Sequence, residues 1–131
     1  MHVRSASAER VEVALHVGAD RSRTWIFTRT PTGLRLKHDH RHADGTPDEL
    51  TFYGGHTDAQ NSAWRQLFPV DAQSRALFDR AGRSVSNTNV WTVEMASGRL
   101  FSYQLSRPGR LVRLEFDLTR PVPPPPPAWG W

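Results

Sequence analysis

At 131 residues, 37% hydrophobic and 23% charged, the sequence has the size and make-up of one soluble globular domain, able to bury about two-thirds of its unfolded surface. It holds no cysteine, which excludes disulfides, thiol catalysis and thiolate zinc sites. The net charge of +4 rests on arginines scattered along the whole chain beside a single lysine, Lys37, with no basic block, a pattern that argues against nucleic-acid binding.

Residues 1–9 read as a flexible N-terminal segment. No window approaches the ~18 to 20 apolar residues of a membrane span, and Met1 to Ala8 lacks the apolar stretch of a signal peptide. The expectation is a cytoplasmic protein with no membrane contact, or a secreted or periplasmic one if a leader has been removed. Ser5-Ala6-Ser7-Ala8 has the small residues that end such a leader.

Val11, Val13, Leu15 and Val17 alternate with Glu12, Ala14 and His16, the pattern of a half-buried strand. Gly18 to Ser22 is a turn, and Arg23 to Thr30 is the next strand, with Trp25 and Phe27 on one face and Ile26 on the other. Pro31-Thr32-Gly33 turns the chain into a third strand, Leu34 to His42. Ala43 to Glu49 is a polar loop, and Leu50 to Tyr53 a short strand cut off by Gly54-Gly55. Thr57 to Val85 is the least strand-like part. Asp58 or Asp71 suits a helix N-cap, Gly82 a helix end, and Ala76, Leu77, Phe78 and Ala81 give helical spacing within Ala72 to Ala81. Asp58 to Phe68 reads as helix or ordered loop, stopped by Pro69.

A second meander follows. Val90 to Ala96 places Trp91, Val93 and Met95 on one face. Ser97-Gly98 turns it into Arg99 to Ser106, with Phe101, Tyr103 and Leu105 together. Pro108-Gly109 leads to Leu111 to Leu118, with Val112, Leu114, Phe116 and Leu118 inward. Pro123 to Pro127 must be polyproline II, since proline has no N–H to donate to a ladder. The tail reads as a wrap that covers an apolar patch with Trp129 and Trp131, or as a ligand for an aromatic groove. The expected fold is therefore all-β with minor α: residues 10–120 form one domain of about seven strands, two antiparallel meanders with one short helix between them, and residues 121–131 form a Pro-rich tail. A small barrel or curved sandwich satisfies this pattern, and the calycin barrel is an example by analogy.

The candidate site is organised around His38-Asp39-His40-Arg41-His42. In an extended chain Leu34, Leu36, His38, His40 and His42 share one face, so an apolar face turns into an imidazole face. The expectation is a polar mouth shared with the Gly54-Gly55-His56 loop. Tyr53 and Trp64 are candidates to stack on a ligand, Trp64 standing out among polar Asn61, Ser62, Arg65 and Gln66. His38, His40, His42, Tyr53, His56 and Trp64 then form the binding set of a non-catalytic domain that takes a small polar ligand or a protein partner. Such a mouth is pH-sensitive, because histidine titrates near ~6.5.

The alternative is a metal-dependent enzyme at the same mouth. Histidines at i and i+2 lie ~6 to 7 Å apart at the backbone and converge on zinc or iron. His38, His40 and His56 are the candidate ligands, with Asp44 and Glu49 as others. His38-Asp39-His40 followed by a carboxylate and a later histidine resembles the cupin motif. Asp44 stands where that motif has Glu, His56 comes earlier than the second motif, and the Pro-x-Gly element is missing. Neither a Gly-x-Ser-x-Gly elbow nor a phosphate loop is present, and Asp44 to Glu49 lacks EF-hand spacing. No residue is assigned a catalytic role, and the oligomeric state stays open. The Leu34–Gly55 stretch, together with Phe68-Pro69-Val70-Asp71, Asn89-Val90-Trp91 and the Pro-rich end, resembles small β-rich bacterial proteins. That resemblance implies a bacterial source and a self-contained domain, and brings no mechanism.

Overall fold

Alternating apolar residues become two antiparallel sheets in the computed structural model, which describes residues 1–57 and 61–131. The first sheet holds β1 (His2–Ala6), β2 (Arg10–Val17), β3 (Asp20–Thr30), β4 (Gly33–His40) and β5 (Tyr53–His56), side by side in chain order. The second holds β6 (Arg65–Pro69), β7 (Val90–Ala96), β8 (Leu100–Arg107) and β9 (Arg110–Asp117), again in chain order. The helix α1 (Ala72–Arg80) and a short 3-10 turn, Ser84–Thr88, connect β6 to β7. The fold is all-β with a minor helical part, and among the described residues its strands do not close into a barrel.

Two strands were not expected. His2–Ala6 pairs with β2, with Val3 opposite Val13, so the N-terminal segment is sheet rather than a free end. Arg65–Pro69 pairs with β7 and places Phe68 opposite Trp91. It is an extended strand where helix or loop was expected. Its last residue is a proline, which suits a strand end because no N–H is needed there. Asp58, the other candidate helix cap, lies outside the described residues.

Gly54 and Gly55 do not cut a strand off; they are the middle of β5. A Cβ on Gly54 would overlap the carbonyl oxygen of Leu36, and one on Gly55 would overlap that of Pro69. Only glycine allows both neighbours to come so close. Gly55 bridges to Val70, and the Asp71 N–H donates to the Gly54 carbonyl at 3.0 Å, so β5 is the seam between the two sheets.

The helix forms as its spacing predicts. The Asp71 side chain accepts from the Ser74 N–H at 2.8 Å, capping the first turn. Phe78 packs on Tyr53, ring centroids 5.5 Å apart, and the Ser74 hydroxyl accepts from the Gly54 N–H at 2.7 Å. Lys37, on the outer face of β4, reaches Asp71 at 2.6 Å. Burial opposes ionisation of Asp71, but hydrogen bonds from Lys37 and Ser74 outweigh it and hold the carboxyl below the usual range.

The core lies between the sheets. Trp25, Leu36, Phe68 and Trp91 are almost wholly buried, each contributing roughly 1.5–3 kcal/mol by burial. Trp25 stacks on Tyr103 at 4.3 Å. The outer face of β2 and β3 is covered as well: Glu12, Ala14, Thr24 and Ile26 are buried there. The C-terminal tail runs along that face. Its prolines have no N–H to give, so their carbonyls accept instead, Pro126 from Arg4 at 3.0 Å and Pro127 from Arg21 at 2.9 Å. Past the prolines, the Trp129 backbone N–H donates to the Arg21 carbonyl at 3.0 Å, and Ala128 is buried.

Candidate ligand-binding site

The inner faces of β3 and β4 run in register from one end of the inter-sheet space to the other. Arg29 pairs with Leu34, Phe27 with Leu36, Trp25 with His38, and Arg23 with His40. Alternation along β4 is therefore as expected, but the face opens at Leu34 and closes at His38. At the Leu34 end lies a cavity of about 450 Å³. Val13, Phe68, Val93 and Phe101 are buried at its floor, and Val11, Phe27 and Leu34 form its walls. Val3, Trp64, Met95 and Leu118 also line it and are exposed, Trp64 at 69% of its surface, so they form a rim.

Three charged side chains share that lining: Glu9, Arg10 and Arg29. Arg10 is neutralised by Glu12 at 2.6 Å. Arg29 is exposed and, among the described residues, forms no ion pair. Its backbone N–H donates to the Glu9 carbonyl at 2.8 Å, which fixes the strand end beneath the guanidinium.

The expected histidine mouth is not assembled. His38 is 2% exposed and belongs to the core. Its Nδ1–H donates to the Tyr53 carbonyl at 3.1 Å, so Nε2 accepts from the Tyr103 hydroxyl at 2.8 Å. The ring stacks on Tyr53 at 4.6 Å. Burial pushes its pKa down to about 3, against the smaller raising effect of the Tyr53 carbonyl. This is a neutral, fully satisfied imidazole with no lone pair left for a ligand.

His40 and His42 both face Asp48, with Nδ1 at 3.8 and 3.9 Å from its carboxylate oxygens. His42 lies beyond the end of β4 and is exposed. His56 pairs across from Arg35, so it shares the outer face with Lys37 and lies 3.8 Å from Asp71. It is on the opposite face of the sheet from His38. The set His38, His40 and His56 is thus spread over the core, one end of the sheet and its outer face. Among the described residues no group of three or more His, Asp or Glu side chains is placed to hold a metal ion.

The acidic loop is occupied by its own turns. Asp44 accepts from the Thr46 N–H and hydroxyl at 2.9 and 2.7 Å, and these bonds, the hydroxyl's first, lower its pKa. Asp48 accepts from the Leu50 N–H at 2.7 Å. Glu49 is exposed.

Of the expected binding residues, only Trp64 stands at the cavity, and Tyr53 is packed between His38 and Phe78. The residues that sequence reasoning missed are Arg29, Val3, Met95 and Leu118. One signal was present for Arg29: the face of Trp25 and Phe27 continues to a charge at Arg29, as the face of Leu34 and Leu36 continues to histidine. No protein-family model, no curated protein and no solved structure matches the chain.

Proposed function

We propose that the chain is a non-catalytic β domain that binds a small, largely apolar molecule in the cavity between its sheets. The supporting observation is the combination of a buried apolar floor with an exposed apolar rim of Val3, Trp64, Met95 and Leu118. Ligand sites are concave, mostly apolar and roughly 300–1,000 Å³ in size, and the cavity of about 450 Å³ falls in that range. Rim residues left in water are costly as a cluster and gain by covering. A polar or metal-dependent site at the histidines has less to offer, since His38 has no free nitrogen and His56 faces away from it.

The test is uptake of a neutral fluorescent probe, N-phenyl-1-naphthylamine. Native protein is expected to bind it saturably at one per chain, with a blue-shifted emission. Leu34→Trp, which fills the cavity from its wall, is expected to weaken uptake at least tenfold without unfolding the protein. Absence of saturable uptake by native protein, or equal uptake by a folded Leu34→Trp variant, contradicts the reading.

A further inference from the structure

We infer that the cavity takes a medium-chain amphiphile with a single anionic head group, a fatty carboxylate in class, its tail on the buried floor and its head on Arg29. The inference rests on the apolar-cavity reading and adds the ligand's polarity and direction. Four observations carry it. The floor has no charged side chain, so a head group has no partner there. Arg29 follows Trp25 and Phe27 on the inner face of β3, so alternation puts its guanidinium on the cavity side. Of the two guanidinium groups in the lining, that of Arg10 is already neutralised by Glu12 at 2.6 Å, while Arg29 has no ion pair among the described residues. Finally, Glu9 stands in the same lining and repels any further negative charge, which favours a single charge over a polyanion.

A guanidinium presents a planar fork that matches a carboxylate with two parallel hydrogen bonds. At about 30 Å³ per methylene, close to a water's share of liquid volume, a chain of roughly twelve carbons fits with room to move.

The experiment is displacement of bound N-phenyl-1-naphthylamine by dodecanoate, dodecanol and dodecylamine, each below its aggregation limit, on native protein and on two variants. Dodecanoate is expected to displace about tenfold more effectively than dodecanol, and dodecylamine to be weakest. Arg29→Gln is expected to remove the preference for the acid while keeping dodecanol unchanged. Glu9→Gln is expected to move it the other way, tightening dodecanoate by a few-fold. Equal displacement by acid and alcohol from native protein overturns the head-group inference and leaves the apolar reading standing. An acid preference that survives in a folded Arg29→Gln variant also overturns it. Failure of native protein to bind the probe at all overturns both.

Discussion

His38 is buried as the neutral imidazole, and that one protonation state links stability to pH. Its folded pKa, about 3, lies below the ~6.5 of an exposed histidine. The unfolded chain therefore binds a proton that the folded chain refuses between those values. Stability from this residue is therefore full above ~6.5 and falls as pH drops toward ~3, by on the order of 4–5 kcal/mol in total. Between pH 7 and pH 5 the loss from this residue is roughly 2 kcal/mol. Urea denaturation of native protein and of His38→Phe at both pH values checks it. The variant is expected to lose about 1–3 kcal/mol at pH 7, because the Tyr103 hydroxyl and Tyr53 carbonyl lose their partner. It is also expected to lose most of the native pH dependence. Equal slopes in the two proteins contradict the assignment.

The same residue shows what the sequence made legible. Alternation correctly puts Leu36 and His38 on one side of β4. It says nothing about which end of that side is open, because this depends on how far the second sheet reaches over it. Tyr103 and Trp91 come from that sheet and seal the histidine in. The opening lies at the other end, where Arg29 and Leu34 pair. His56 fails for a different reason: β5 continues through both glycines, so parity from Tyr53 sends His56 to the outer face.

At the scale of elements, the seam at β5 depends on two residues without side chains. Gly55→Ala places a Cβ against the Pro69 carbonyl, which is backbone and has no freedom to swing aside. The expected cost is about 3 kcal/mol or more, in the range of severe backbone clashes. Thermal unfolding measures it, with Gly18→Ala as the comparison, since a Cβ on Gly18 meets nothing and only the left-handed backbone is disturbed. A Gly55→Ala variant as stable as Gly18→Ala would mean that the sheets are not joined there.

The strands that periodicity found carry two or more apolar residues on the inner face: three or four in β2, β7, β8 and β9, and two in β3 and β4. The two it missed offer one such residue each, half exposed in β1 and buried in β6. In β1 that residue is Val3, opposite Val13; in β6 it is Phe68, opposite Trp91. Such short strands exist because a longer neighbour offers them a ladder, which is tertiary information. Pro69 suggested a helix stop, yet the same missing N–H also suits a strand end.

The whole molecule is an open pair of sheets, hinged at β5 and clad on the outer face of the first sheet by its own proline tail. Glu12, Ala14, Thr24 and Ile26 are buried on that face, and the tail is held to the body by Arg4 and Arg21. The prolines of that tail already offer their carbonyls to Arg4 and Arg21, so the tail behaves as part of the body. Among the described residues no helix is long and apolar enough to cross a membrane. The far end of the inter-sheet space is sealed by the His38–Tyr103 contact, and at the Leu34 end the core opens at the apolar rim.

The most direct measurement is therefore an NMR titration of methyl and backbone signals with N-phenyl-1-naphthylamine, whose ring currents mark its neighbours. The largest shifts are expected at Val11, Leu34, Val93 and Met95, with His40, His42 and Asp48 unmoved. Shifts gathered instead on the His40–Asp48 end, or none at saturating probe, contradict it.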